Sequence, residues 1–368
     1  MKVCHITTVH PAKDTRIFYK ECKSLAKAGF EVNLLVINSE SFLEDDVNVI
    51  GLSCDFNNRL GRFRKASKVI YNKALELNAD IYHFHDPELL VMASKLIKKG
   101  KKVIYDVHED LPRQLLSKHY IPKPIRKPIA NLVEYFENKY ATKMTGIITA
   151  TDFIKDRYLK FHEEVAAIKN YPILSAETKF LRPFEEKQKE IVYVGSITKE
   201  RGLSELVKAM DLLGSEISLN LAGTYAPKDY RDELIKTQGW EKVNEIGFAN
   251  REKVKELFDR SFAGLVTLHP IINYLDALPV KMFEYMASGV PVIASNFPLW
   301  KAIVEGENCG ICVNPLDPKS IAEAIEWIYN HPKEAEEMGQ NGFKAVTEIY
   351  NWSIEEQKLI DFYNKIAD

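Results

Sequence analysis

Short apolar runs alternate along the chain with stretches whose apolar positions recur at helical spacing. This is the rhythm of βαβ units, in which parallel strands are covered by helices on both faces. In the first half, residues 2–7, 31–37, 80–84, 102–107 and 146–149 predict strands, and residues 15–28 predict a helix stopped by Gly29. Between Tyr171 and Glu190 the rhythm breaks. Pro172, Pro183, the Glu185-Glu186 pair and Lys187-Gln188-Lys189 give the composition of a linker. The pattern then restarts, with strands predicted over 191–195, 217–222, 243–246, 262–268 and 290–294, and residues 351–368 read as a capped amphipathic helix. The expected organisation is a first α/β domain over 1–172, a linker over 173–189, a second α/β domain over 190–350, and a C-terminal helix over 351–368 that crosses back to the first. Ligands of open parallel sheets bind beyond the carboxyl ends of the strands, so two facing lobes would place a site in the cleft between them.

Composition fits this picture and narrows it. Of 368 residues, 46% are hydrophobic and 28% charged, with 17 glycines and 16 prolines, which is the profile of a globular protein and not of a low-complexity chain. No apolar run approaches the ~20 residues of a membrane span, and the first residues enter a strand instead of a signal peptide's apolar segment, so a cytoplasmic location is expected. Five scattered cysteines, at 4, 22, 54, 309 and 312, suit a reducing compartment. The net charge of −2 argues against nucleic acid as a partner. It conceals an asymmetry. Residues 1–190 carry 32 basic and 25 acidic side chains, a net +7, while 191–368 carry 18 and 27, a net −9. The first half is therefore expected to meet an anionic partner.

The stretch 268–295 is the most informative. A strand ends near Leu268, a polar loop carries Asp276, Pro279 suits the first position of a helix bearing Glu284, and Gly289 ends that helix before Pro291-Val292-Ile293 opens another strand. The backbone N–H groups of Leu278, Val280 and Lys281 would face out of the helix N-terminus, where a diphosphate fits; Pro279 has none to offer. A second strand–loop–helix, Tyr193-Val194-Gly195-Ser196 through Lys199-Glu200-Arg201-Gly202, brings further cations to a strand end.

These residues resemble the donor-binding signature of the family 4 glycosyltransferases of the GT-B fold, in which two acids seven residues apart precede a small-residue helix end and a Pro-Val-Ile strand. The resemblance places the second acid, the ribose ligand, at Glu284, and the first, which lies against the donor sugar, at Asp276, where the family usually has Glu. Arg201 falls at a diphosphate-binding cation. Ser196 stands where the family usually has a second one, leaving Lys199 or Lys281 to take its place. Gly195 and Ser196 line that loop, and Phe248 neighbours the base. In the first half, His108 in Tyr105-Asp106-Val107-His108-Glu109 falls where the family sets a His beside the donor sugar. Asp14 and Arg16, in the loop after the first strand, and His85 and Asp86, at the exit of the third, are expected on the acceptor side.

What the resemblance implies is a retaining, nucleotide-sugar-dependent hexosyltransferase with two doubly wound Rossmann-like domains and no bound metal or other cofactor. Its donor would be a UDP- or GDP-sugar and its acceptor an anionic or lipid-linked saccharide of surface-polysaccharide or glycolipid assembly. A nucleotide-sugar epimerase of similar two-lobed fold is the nearest alternative, followed by a metal-dependent hydrolase and a non-enzymatic sugar-nucleotide-binding protein.

Other features carry blander readings. His83-Phe84-His85-Asp86 with His108-Glu109 lacks diagnostic metal spacing, and Cys309-Gly310-Ile311-Cys312 is a chance pair in a strand. The basic residues Arg59, Arg62, Arg64, Lys65 and Lys68 read as a solvated helix face. Lys118, Lys123, Arg126 and Lys127 differ, because they lead into an amphipathic stretch with Leu132, Val133, Tyr135, Phe136 and Tyr140. A polybasic, aromatic-flanked surface of that kind attracts anionic lipid at about 1 kcal/mol per cation, so peripheral contact with the inner face of the membrane is expected.

Overall fold

The computed structural model describes all residues except 57, 59–60, 119–120, 175–181 and 368. Arg59 therefore lies outside the described residues, as does the side chain of Arg62. Contacts divide the chain into two compact units, Met1–Asn170 with Trp352–Asp368, and Tyr171–Asn351.

The first unit is built on eight strands: β1 (Lys2–Thr7), β2 (Glu31–Ile37), β3 (Phe42–Glu44), β4 (Val47–Leu52), β5 (Ile81–Phe84), β6 (Lys102–Val107), β7 (Gly146–Thr149) and β8 (Val165–Ala167). They run in the order β3-β4-β2-β1-β5-β6-β7-β8, all parallel except β3, which is antiparallel to β4. The central strands are buried on both faces, which is why they read as near-continuous apolar runs. One face packs on Ile70, Ala74, Leu90 and Leu96. The other packs on Phe18 and Leu25 of the segment after β1 and on Leu359, Phe362 and Tyr363 of the C-terminal helix Trp352–Ala367. That helix is tied down by Trp352 Nε1, which donates to Ser24 Oγ at 2.9 Å. Where Phe362 lies against β7, Gly146 has no room for a Cβ, which would meet the ring at 2.7 Å.

The second unit holds six parallel strands: β9 (Glu190–Val194), β10 (Ser218–Ala222), β11 (Val243–Gly247), β12 (Ala263–Val266), β13 (Val292–Ser295) and β14 (Gly310–Val313), in the order β11-β10-β9-β12-β13-β14. Each sheet winds outward both ways from a central pair, β1 and β5 in the first and β9 and β12 in the second. The loops leaving those pairs diverge, and that switch point is where doubly wound sheets open a ligand crevice. Arg16 follows β1 and His85 follows β5; Arg201 follows β9, while Asp276, Lys281 and Glu284 follow β12. Thus the chemically suggestive residues lie at the two switch points.

Among the described residues no helix is long and apolar enough to cross a membrane. All five cysteines are free, and Cys309 and Cys312 lie at β14 without a bridge.

Candidate functional site

In the second unit the chain leaves β9 at Gly195, whose φ of 134° lies outside the ordinary range of L side chains. A Cβ built there would sit 3.2 Å from an Arg201 terminal nitrogen and 3.4 Å from Lys281 Nζ, so both cations crowd the same bare stretch of backbone. Arg201 comes from the turn Lys199–Arg201, and the chain escapes past it through Gly202, at φ 73°, where a Cβ would strike the Thr267 carbonyl at 1.9 Å. The guanidinium is steadied by the Tyr193 and Tyr274 hydroxyls.

Lys281 is only 8% exposed, and its Nζ, 3.6 Å from the centre of the Tyr193 ring, has no hydrogen-bond partner. Burial, reinforced by Arg201 and partly opposed by Glu284, holds its pKa well below the usual lysine value. Lys199 is occupied elsewhere, pairing with Glu233 at 3.1 Å on the surface. Of the two lysines suggested for the place left by Ser196, Lys281 is therefore the one that stands beside Arg201. Ser196 itself is exposed, and its carbonyl accepts from the Tyr193 hydroxyl at 2.9 Å.

Lys281 and Glu284 lie on the helix Val280–Ala287. Pro279 is the N-cap of this helix, extended at ψ 120°, and not its first turn as the sequence suggested. With no N–H it could neither continue a helix from Leu278 nor lose a bond by capping one. The helix therefore starts one residue later, at Val280. Met282 makes the first backbone bond, to the Pro279 carbonyl at 3.0 Å, so the outward amides of the helix are those of Val280 and Lys281, and Leu278 belongs to the preceding loop. Trp300 Nε1 fixes this loop by donating to the Ala277 carbonyl at 2.7 Å, beside Asp276, the C-cap of the short helix Ile272–Leu275. Glu284 is half-buried, three residues along the helix from Lys281. Phe248 follows the end of β11 and is 81% exposed.

The first unit concentrates titratable groups at its own switch point. Asp14 accepts from the amides of Arg16 and Ile17, capping the helical segment Ile17–Cys22, and His10 lies 3.5 Å from its carboxylate. Burial works against a charged His10, yet Asp14 and Asp86 outweigh it and raise its pKa. His10 and His108 face one another with ring centres 4.9 Å apart. His108 Nε2 lies 2.9 Å from Asp106 Oδ2 and keeps part of its ring exposed. Asp106 is fully buried, but Arg16 and His108 overcome that burial and hold its carboxyl well below the usual range.

Three acceptor-side expectations are corrected by burial. Arg16 is sealed inside the unit, donating through Nε and a terminal nitrogen to both oxygens of Asp106 at 3.1 and 3.0 Å and to the Ile168 carbonyl at 2.8 Å. Asp86 is 2% exposed and accepts from the Thr7 hydroxyl and the Thr8 amide and hydroxyl. His85 is equally buried and lies between His5 and Asp106. These three support the loops, leaving His10, Asp14 and His108 with accessible surface. His10 was legible only as part of the loop after β1; its pairing with His108 needs the sheet register.

Residues 15–170 match the family described as Glycosyltransferase Family 4, and residues 175–345 match Glycosyl transferases group 1. An uncharacterised glycosyltransferase of Methanocaldococcus jannaschii is 29% identical over 186 residues, 50% of this chain and 46% of its own. The alpha-galactosylglucosyldiacylglycerol synthase of Streptococcus pneumoniae is 23% identical over 86% of each chain. Among solved structures, the sucrose-phosphate synthase of Thermosynechococcus elongatus superposes with a TM-score of 0.81 at 17% identity, covering 99% of this chain and 98% of that one. Anabaena HepE in complex with UDP-glucose gives 0.74 at 14% identity, over 99% and 100%. With two matched segments spanning both switch points and two parallel-sheet units of the fold these structures share, the chain belongs to the family 4 glycosyltransferases of the GT-B fold.

Proposed function

We propose that this protein transfers a hexose-type sugar, with retention of configuration, from a nucleoside-diphosphate donor to a hydroxyl group of an anionic or lipid-linked saccharide. The observation that carries the reading is the Lys281 ammonium, buried without a hydrogen-bond partner beside Arg201 and against Gly195. A buried cation with no acceptor costs several kcal/mol, and a diphosphate at this point would offset that cost. The HepE complex with UDP-glucose favours a UDP-sugar among the possible donors.

In the reaction the bond between the anomeric carbon and the donor phosphate oxygen breaks, and a bond from the acceptor oxygen forms on the same face. The acceptor's proton passes to the departing phosphate oxygen. Arg201, Lys281 and the Val280 and Lys281 amides stabilise the negative charge that grows on the diphosphate. Glu284 holds the ribose hydroxyls, Asp276 orients the sugar, and Phe248 borders the base.

The net positive charge of residues 1–190 favours an anionic acceptor. The helix Lys123–Ala141 adds a membrane-facing reading, since Ile125, Leu132, Tyr135 and Phe136 are exposed alongside Lys123 and Lys127, in the pattern of a surface that docks on anionic lipid. The diacylglycerol-directed name of the streptococcal relative fits that reading.

The test is a thermal-shift screen against UDP-, GDP-, ADP- and dTDP-sugars. A donor at 100 times its Kd stabilises by about 2.7 kcal/mol. The expected result is one strong responder whose sugar is transferred only when acceptor is present. No response to any of the four, or turnover unchanged in the Arg201→Gln/Glu284→Gln double variant, would overturn the proposal. Donor isomerised without acceptor would establish an epimerase instead.

A further inference from the structure

Beneath the loops of the first unit lies a group of side chains that the transfer reaction does not use. His5 on β1 is the register neighbour of His83 on β5, and His85 lies two residues further, so all three imidazoles project from one face of the sheet. Glu21, from the helical segment Ile17–Cys22, closes over them. One nitrogen of each of the three histidines and a carboxylate oxygen of Glu21 lie within 4.8 Å of one another, and all four residues are buried.

The outward nitrogens are already engaged. The Tyr363 hydroxyl takes His83 Nδ1 at 2.7 Å and His5 Nε2 at 3.1 Å, and Asp106 takes His85 Nδ1 at 3.2 Å. That leaves His5 Nδ1, His83 Nε2, His85 Nε2 and Glu21, with Glu21 Oε2 also 4.0 Å from His85 Nδ1 and His83 Nε2 3.9 Å from Asp106 Oδ2. Among these, His5 Nδ1 is 2.9 Å from His85 Nε2 and 4.0 Å from Glu21 Oε2. His83 Nε2 and both Glu21 oxygens are buried without a hydrogen-bond partner. Arg16 Nε approaches Glu21 Oε1 to 2.9 Å, but its N–H is directed to Asp106.

We propose that His5, His83, His85 and Glu21 bind one divalent first-row transition ion, with Zn²⁺ the best match. Three imidazoles and a carboxylate form a recognised zinc donor set, and four protein ligands with no solvent access make a closed structural site. Tetrahedral coordination at about 2.0–2.2 Å spaces ligand atoms roughly 3.4 Å apart, so the inward nitrogens and oxygen need only rotamer adjustments to converge. The surroundings have the form of an outer shell that orients such ligands: Asp106 behind His85, the Tyr363 hydroxyl behind His5 and His83, and Arg16 against Glu21. The bound ion would join β1, β5, the segment after β1 and, through Tyr363, the C-terminal helix. Its role is structural, and the transfer chemistry proposed above does not depend on it.

The experiment is metal analysis of tag-free, full-length protein purified without chelator. About one Zn²⁺ per chain is expected to survive desalting. After chelator treatment, addition of Co²⁺ should give the intense visible d–d bands of a four-coordinate ion and raise the melting temperature. Both effects should be lost in His83→Gln, with far-ultraviolet circular dichroism verifying that the variant is folded. If that variant does not fold, the wild-type Co²⁺ spectrum decides alone. Protein free of zinc that gives no Co²⁺ bands would overturn the proposal, as would bands that persist in a folded His83→Gln variant, since the ion would then sit elsewhere.

Discussion

Replacing Lys281 with methionine should make the protein more stable and its donor site weaker. The ammonium is 8% exposed, has no hydrogen-bond acceptor and shares the Gly195 backbone with Arg201, whose charge opposes its own. The face of Tyr193 returns about 0.5–2 kcal/mol of cation–π attraction, less than the several kcal/mol of removing an ammonium from water. Methionine keeps the length and packing of the stem, so the variant should gain about 1–4 kcal/mol, at roughly 2–4 °C of melting temperature per kcal/mol. The gain depends on pH. Because the folded protein holds the Lys281 proton less tightly than the unfolded chain does, wild-type stability should rise with pH between the lowered pKa and the ordinary lysine value of 10.5, and this contribution should vanish in the variant. Binding should move the other way. Losing one charge-assisted bond to phosphate costs about 1.5–3 kcal/mol, a weakening of UDP binding of roughly 10- to 150-fold. Differential scanning fluorimetry across pH, with calorimetric titration of UDP, measures both. A variant that melts below the parent and binds UDP with unchanged affinity would refute the claim that this cation awaits an anion.

Three further outcomes are expected. Glu284→Gln should keep its stability within about 1 kcal/mol while kcat/KM for the donor falls at least tenfold, because Glu284 is half-buried on a helix whose other side packs in the core and the amide has nearly the same size; steady-state kinetics decides. Asp106→Asn should destabilise by about 3–5 kcal/mol in urea denaturation, because it deprives buried Arg16 of its bidentate partner. Sedimentation with anionic vesicles should capture the wild type and fail for Lys123→Glu/Arg126→Glu/Lys127→Glu, whereas neutral vesicles should capture neither; equal capture of both proteins would remove the membrane reading.

The sequence revealed most where burial is two-sided. Residues 2–7, 31–37, 102–107 and 146–149 are strands to the residue, because a central parallel strand is apolar on both faces and its ends coincide with the return of polar residues. The strands Phe42–Glu44, Val47–Leu52 and Val165–Ala167 gave no comparable signal. They lie at or near the sheet edges and are short or half-exposed, so no continuous apolar run marks them. At the candidate site, the placement of Arg201, Lys281 and Glu284 after a strand end and along a helix was readable because their motif fixes a strand, a turn and a helix together. Arg16, His85 and Asp86 were misjudged for a different reason. Position after a strand shows that a residue is near the switch point, whereas direction is set by the helix packed over it, and here Arg16 turns inward to Asp106. His5 was not singled out at all, since one polar residue inside an apolar run acquires meaning only when β1 is registered against β5.

The helix Trp352–Ala367 completes the first unit although the whole of Tyr171–Asn351 precedes it in the chain. During synthesis, then, the sheet face that this helix shares with Phe18 and Leu25 stays only partly covered while every strand of the second unit leaves the ribosome. Phe18, Leu25 and Ile104 gain their last neighbours only once that helix has been made. A nascent or C-terminally clipped chain would consequently present an oily, histidine-bearing surface to chaperones and proteases, and quality control would act on the half of the molecule that is translated first.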